Sequence, residues 1–255
     1  MKIGFFDSGL GGLTILKATR TLLPQYEYVY FGDTANLPYG DKTEDEIFDF
    51  TRDAVIGLFE KGALLVIVAC NTASAETVRR LQDTILTGAY ADRKVLGVII
   101  PTIEALIESG AQNVLLIGTR RTISSGKYEI ELKKLSSRIN LRSFATPKLV
   151  PYIESGNIPG ACTTLEINLH DKVGKEIDTI VLGCTHYTLL KDCIRDIYNI
   201  RVISQDEIIP EKIKSYLAKH TEIETRLGQK GTVAITLSGE GDKRYETLKK
   251  EFGII

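Results

Sequence analysis

Residues 63–72, Ala63-Leu64-Leu65-Val66-Ile67-Val68-Ala69-Cys70-Asn71-Thr72, set the fold class of this chain. Residues 178–186, Asp178-Thr179-Ile180-Val181-Leu182-Gly183-Cys184-Thr185-His186, repeat the plan. Each is an apolar run lacking the alternation of a half-exposed strand, and each ends in a cysteine followed by amide or hydroxyl side chains. Continuous aliphatic runs of this length read as parallel strands covered on both faces. Open α/β sheets bind ligands beyond the carboxyl ends of such strands. Two matched thiols at strand ends therefore predict one active site with a sulfur on each side.

The surrounding chain alternates strand and helix. Strands are predicted at 3–6, 27–31, 64–69, 95–99, 113–117, 141–145, 178–182, 201–203 and 232–237. Helices are predicted over 13–22, 43–61, 73–86, 102–109, 122–137, within 149–174, and over 187–198, 206–219 and 242–252. Thr43 with Glu46 three residues later has the form of a capping box opening the second helix. This alternation predicts an α/β fold of mainly parallel sheets flanked by helices. Ser8 and Cys70 lie 70 − 8 = 62 residues apart, and Thr119 and Cys184 lie 184 − 119 = 65 apart. The similar spacing and polar strand endings suggest two halves of one plan, facing each other across a cleft.

Composition narrows the function classes. The chain has 255 residues, 43% hydrophobic and 25% charged, with a formal net charge of −1. That balance is typical of a globular protein and supplies no field to draw nucleic acid or an anionic membrane. No apolar run approaches the ~20 residues of a membrane span. A strand beginning at Ile3 leaves no room for a leader, so a cytoplasmic location is expected. The cysteines are Cys70, Cys162, Cys184 and Cys193, and the histidines His170, His186 and His220. Their spacing offers no metal site, and none is expected. Cys162 and Cys193 fall within helical patterns and read as packing residues.

Each strand-end thiol has a candidate partner. His186 lies two residues beyond Cys184, and Asp7 ends the first strand, which should share a sheet with residues 64–69. A strand end followed by a helix start is expected to lower a thiol's pKa. Asp7-Ser8-Gly9 leads into Gly11-Gly12 and a helix, an arrangement that lets backbone N–H groups approach an anion. Ser8, Tyr39, Gly40, Asn71, Thr72, Thr119 and Thr185 are donors at predicted strand ends and loops. Such donors suit a compact zwitterion better than a nucleotide, with Asp7 and Glu154 available to an ammonium group.

These motifs resemble those of glutamate racemase, in the cofactor-independent aspartate/glutamate racemase superfamily. The matching elements are Asp7-Ser8-Gly9-Leu10-Gly11-Gly12, Gly32-Asp33-Thr34-Ala35, Pro38-Tyr39-Gly40 and Val68-Ala69-Cys70-Asn71-Thr72-Ala73-Ser74. They continue with Gly97-Val98-Ile99, Gly118-Thr119, Ser125, Tyr128, Leu182-Gly183-Cys184-Thr185-His186-Tyr187 and Ser238-Gly239. The resemblance implies two similar α/β domains, 1–97 with 205–255 and 98–204, with the site in the cleft between them. It implies that Cys70 takes the proton from D-glutamate and Cys184 from L-glutamate, assisted by Asp7 and His186, with no cofactor. Ser8, Pro38, Tyr39, Gly40, Asn71, Thr72, Thr119, Glu154 and Thr185 fall at positions the family uses around the substrate. A homodimer and supply of D-glutamate to peptidoglycan are implied in the same way. Asn36, Ile100 and Thr188 depart from the residues many relatives carry there, leaving glutamate and aspartate as competing substrates. From the residues alone, a thiol redox protein and a non-catalytic amino-acid-binding module also remain open.

Overall fold

The structure, a computed structural model, describes residues 1–239. The chain begins with β1 (Lys2–Asp7), α1 (Gly12–Leu22), β2 (Tyr28–Gly32), α2 (Glu44–Glu60), β3 (Ala63–Val68), α3 (Asn71–Thr84) and β4 (Lys94–Gly97). It continues with α4 (Ile99–Glu108), β5 (Asn113–Gly118), α5 (Arg120–Ser124), α6 (Lys127–Leu135), β6 (Asn140–Ala145), α7 (Leu149–Glu154) and α8 (Ile158–Leu169). β7 (Thr179–Gly183), α9 (Lys191–Tyr198) and β8 (Arg201–Ile203) follow. α10 (Gln205–Lys219) and α11 (Thr221–Glu224) then lead back to β9 (Val233–Leu237).

The strands form two parallel sheets, ordered β4-β3-β1-β2-β9 and β6-β5-β7-β8. Reading the second sheet from β8 gives β8-β7-β5-β6, the order of β4-β3-β1-β2 with each strand replaced by its counterpart. The repeat expected from the Ser8–Cys70 and Thr119–Cys184 spacings is thus visible in the topology, and among the described residues β9 is an addition to the first sheet. Both thiol-bearing strands are central and bury every residue. Helices on both faces exclude water from them, and each Leu or Ile so enclosed contributes about 1.5–3 kcal/mol.

Helix packing explains why the chain returns. α10 lays Ile209, Ile213 and Leu217 into the same core as Leu13 and Leu16 of α1, so this late helix closes the first sheet. α4 instead packs Ile99, Ile103 and Leu106 against Val114 and Leu116 of β5. The capping box at Thr43 is present: its side chain accepts the Glu46 N–H, and the Glu46 side chain accepts the Thr43 N–H. Such caps are worth on the order of 1 kcal/mol.

Several expectations from sequence need correction. The single helix expected over 122–137 breaks into α5 and α6 at Gly126, whose φ of 60° lies in the left-handed region that glycine adopts freely. The helix expected from 187 opens as a 3₁₀ turn over Thr185–Leu190 before α9 begins. β4 ends at Gly97 and α4 starts at Ile99, because Pro101 sits comfortably in a first turn whose N–H groups have no partner. Cys162 and Cys193 do more than fill space: α8 and α9 lie side by side, bringing their Cα atoms to 6.2 Å, and the two residues form a disulfide. The expected helix over 242–252 lies outside the described residues.

Candidate active site

The segments that follow three strands of each sheet meet at one cavity. Ser8 follows β1, Leu37–Asp41 follow β2, and Cys70, Asn71 and Thr72 follow β3. From the other sheet come Thr119 and Arg120 after β5, Pro147, Val150 and Pro151 after β6, and Cys184, Thr185 and His186 after β7. The cavity has a volume of about 80 Å³. At ~10–15 Å³ per water that is room for roughly five to eight water-sized groups, the scale of a small amino acid and too little for a nucleotide. Cys70 and Cys184 both line it, one from each sheet, and both are free thiols.

Burial governs the first thiol. Cys70 is pushed up to about 12 by burial and by the neighbouring Asp7 carboxylate, with the Ser8 hydroxyl and the Ala73 N–H opposing the shift. The sequence expectation that a helix start would lower this thiol therefore fails at Cys70, because desolvation outweighs the helix terminus. Asp7 itself is fully enclosed. Its Oδ2 accepts the N–H groups of Gly12 at 3.0 Å and Gly9 at 3.3 Å, and Thr185 Oγ1 donates to its Oδ1 at 3.3 Å. Burial raises its pKa, against the pull of the His186 charge and these hydrogen bonds. Glycine is required at position 12, where a Cβ would lie 2.7 Å from Asp7 Cβ.

The second thiol has different company. Cys184 Sγ lies 3.7 Å from His186 Nδ1, and the opposite ring nitrogen is hydrogen-bonded to Glu154. Burial alone would push the imidazole down, but its bonds to Cys184 and Glu154 overcome this and hold it well above its ordinary value. That shift favours the charged form of the ring beside the sulfur. Thr185, between Cys184 and His186 in sequence, reaches across to Asp7, the carboxylate that acts on Cys70 through its charge.

The residues singled out in the sequence divide by what their polar atoms do. Ser8, Pro38, Tyr39, Gly40, Asn71, Thr72, Thr119 and Thr185 all line the cavity. Asp7 and Glu154 stand one layer behind, against Gly12 and His186. Tyr39 donates its hydroxyl to Asp33 Oδ2 at 2.6 Å, so that donor is already engaged within the loop after β2. Thr72, Thr119 and Thr122 place their hydroxyls 2.9–3.0 Å from one another, a cluster that joins the two sheets. Among the described residues no group of three or more His, Cys, Asp or Glu is arranged to hold a metal ion.

This arrangement can take a proton from one face of a small zwitterion and return one to the other. Comparison with known proteins points the same way: residues 14–209 match the family described as Asp/Glu/Hydantoin racemase. The chain belongs to that racemase family. It is 35% identical over 257 residues to the glutamate racemase of Roseobacter denitrificans, spanning 95% of this chain and 92% of that protein. A glutamate racemase isoform of Bacillus anthracis superposes with a TM-score of 0.87 at 29% identity, covering 99% of this chain and 94% of that one. The Francisella tularensis glutamate racemase in complex with D-glutamate superposes at 0.86 with 27% identity, covering 98% and 92%. Among the described residues of this racemase-family chain, no helix is long and apolar enough to cross a membrane.

Some site residues escaped the sequence reading. Asp33 is the hub of the loop after β2, accepting Tyr39 OH, both contacts from Asn36 Nδ2 at 3.0 Å, and Ser238 Oγ at 2.6 Å. It stands in a quoted motif, but nothing local distinguishes it from a turn aspartate. Thr122 was legible in principle, since its N–H donates to Thr119 Oγ1, the cap of α5 three residues earlier. Arg120, Val150 and the two prolines at 147 and 151 were not among the candidate site residues, because only the packing of the two halves brings them to the cavity.

Proposed function

We propose that this protein interconverts L- and D-glutamate without a cofactor, using Cys70 and Cys184 as the acid and base on opposite faces of Cα. The observation that carries the reading is that the two free thiols enter one small cavity from strand ends of different sheets. Inverting a stereocentre by proton exchange needs a base on one side and an acid on the other, and a thiol can serve as either. In the L-to-D direction Cys184, acting as the base beside His186, takes the Cα proton, and Cys70, held protonated by burial, delivers its own to the opposite face. The carbon–hydrogen bond broken at one face is replaced by one at the other, and the thiols end with their protonation exchanged. D-glutamate runs the same steps in reverse and restores the starting state.

Asp7 and His186 assist the thiols in this proposal. Ser8, Pro38, Tyr39, Gly40, Asn71, Thr72, Thr119 and Thr185 hold the amino acid, and the donors around its carboxylate stabilise the carbanion in a site closed to water. Glu154 acts from behind His186. We read residues 1–97 with 205–255 as one domain and 98–204 as the other, with the cleft between them opening to admit substrate. Cytoplasmic work as a homodimer, supplying D-glutamate to peptidoglycan, completes the proposal. Light scattering should then report about twice the 28.2 kDa chain mass.

Circular dichroism of L-glutamate tests the reading directly. The protein should abolish the optical signal, and Cys70→Ser and Cys184→Ser should each slow the loss by at least ~10²-fold. Racemisation that persists in both variants would remove the thiols from the mechanism. Faster turnover of aspartate would move the substrate assignment without disturbing the chemistry, and a two-hydrogen mass loss joining Cys70 to Cys184 would favour redox function.

A further inference from the structure

Three buried polar side chains from separate elements close on one another beside the cavity. Asn71 opens α3 directly after Cys70, Tyr128 lies on α6, and Gln205 opens α10 where the chain leaves the second sheet. Each is at most 2% exposed. Asn71 Nδ2 donates to Gln205 Oε1 at 2.9 Å, and Gln205 Nε2 donates back to Asn71 Oδ1 at 2.8 Å, a reciprocal amide pair. Tyr128 OH donates to Asn71 Oδ1 at 2.7 Å and accepts from Gln205 Nε2 at 3.1 Å. Asn71 alone of the three lines the cavity. The pair leaves it one N–H for other work, and a closed network of this kind holds its members in one arrangement.

We propose that Tyr128 and Gln205 are positioning residues for proton transfer at Cys70. By gripping the Asn71 side chain from α6 and α10 they set the first turn of α3, and with it the sulfur on the preceding residue, against the amino acid's Cα. Cys184 makes no hydrogen bond to the three residues, although its charge reaches Tyr128; the hydrogen-bond partner of its sulfur is His186, which Glu154 holds from behind. Loss of the network therefore acts on one face of the substrate and not on both. The inference rests on the two-thiol reading above.

The equal free energies of the two enantiomers force kcat/KM to be the same in both directions for every variant, so the asymmetry must be read from isotope effects. Tyr128→Phe removes one oxygen and keeps the ring, while Gln205→Met removes the amide at similar length. Both should lower kcat/KM, by up to ~10²-fold for a displacement on the order of 1 Å. With Cα-deuterated D-glutamate, whose deuteron goes to Cys70, the isotope effect on kcat/KM should rise above the wild-type value. With Cα-deuterated L-glutamate, whose deuteron goes to Cys184, it should fall. Isotope effects that stay at wild-type values in both directions, whatever happens to thermal stability, would reduce the network to a packing device and overturn the inference. Equal changes in both directions would overturn it as well. Tyr128→Phe carries the test by itself if Gln205→Met fails to accumulate as folded protein. Wild-type protein that incorporates no solvent deuterium at Cα would instead sink the two-thiol reading, which separates the two failures.

Discussion

His186 turns Nδ1 toward the Cys184 sulfur, 3.7 Å away, while the Glu154 carboxylate holds the opposite nitrogen of the ring. Burial opposes a charged imidazole here, and the two partners reverse that outcome. A histidine raised above its ordinary value contributes stability that is complete below pH ~6.5 and is lost as pH rises through the raised value. Glu154→Gln removes one of the two supports. The alkaline fall in kcat should move to lower pH, and kcat at pH 8 should drop by about 10²-fold. A pH–rate profile superimposable on that of the wild type would show that Glu154 does not govern the ring.

Cys70 should behave as a thiol that is hard to ionise. With its pKa pushed up to about 12 by burial and the Asp7 charge, its thiolate fraction grows ~tenfold per pH unit throughout the accessible alkaline range. Alkylation by iodoacetamide, followed residue by residue with mass spectrometry in protein free of substrate, should climb at that pace from pH 7 to 10 without levelling. A plateau near pH 9 would be the mark of an unperturbed thiol.

Asp7 should cost stability at neutral pH. Its folded-state pKa is raised by burial, so its favourable contribution is present in full below the unfolded value of ~3.9 and is lost as pH rises through the folded value. Above that point the fold carries an enclosed charge. Asp7→Asn should therefore melt higher than wild type at pH 7, by a margin that widens between pH 4 and 7, while racemisation falls by about 10²-fold. A variant that is both less stable at pH 7 and fully active would contradict the assignment on both counts.

Gly11 is where the glycine-rich turn of the first half touches the segment after Cys184. A Cβ there would lie 2.5 Å from Thr185 Oγ1 and 2.9 Å from the His186 backbone nitrogen. The second contact is with backbone and has no rotamer to yield. Gly11→Ala should destabilise by ~1–3 kcal/mol and raise KM, since the cavity walls are forced apart. Unchanged chemical denaturation and unchanged KM would mean that the two halves are not in contact at this point in solution.

Much of the fold was readable because its signals are local. The capping box at Thr43, the continuous apolar runs ending at Val68 and Gly183, and the matched spacing of Ser8–Cys70 and Thr119–Cys184 depend on near neighbours or simple counting. The break at Gly126 and the 3₁₀ turn after Cys184 were missed, because an unbroken helical pattern does not report a left-handed residue or a tightened turn. The disulfide was missed for a related reason: Cys162 and Cys193 meet only once α8 and α9 are laid side by side.

The order of residues alone determined two parallel sheets, the polar endings of their strands and the identity of both thiols, since periodicity and chain punctuation are written along the backbone. Which hydroxyls are spent on the protein, as with Tyr39 on Asp33 and Thr72 on Thr119, was decided only by tertiary structure. So was the contrast between the two sulfurs: one is enclosed beside a carboxylate, the other faces a charged imidazole. Desolvation and Coulomb energy depend on what surrounds a group in three dimensions, and residues more than a hundred positions away supply those surroundings.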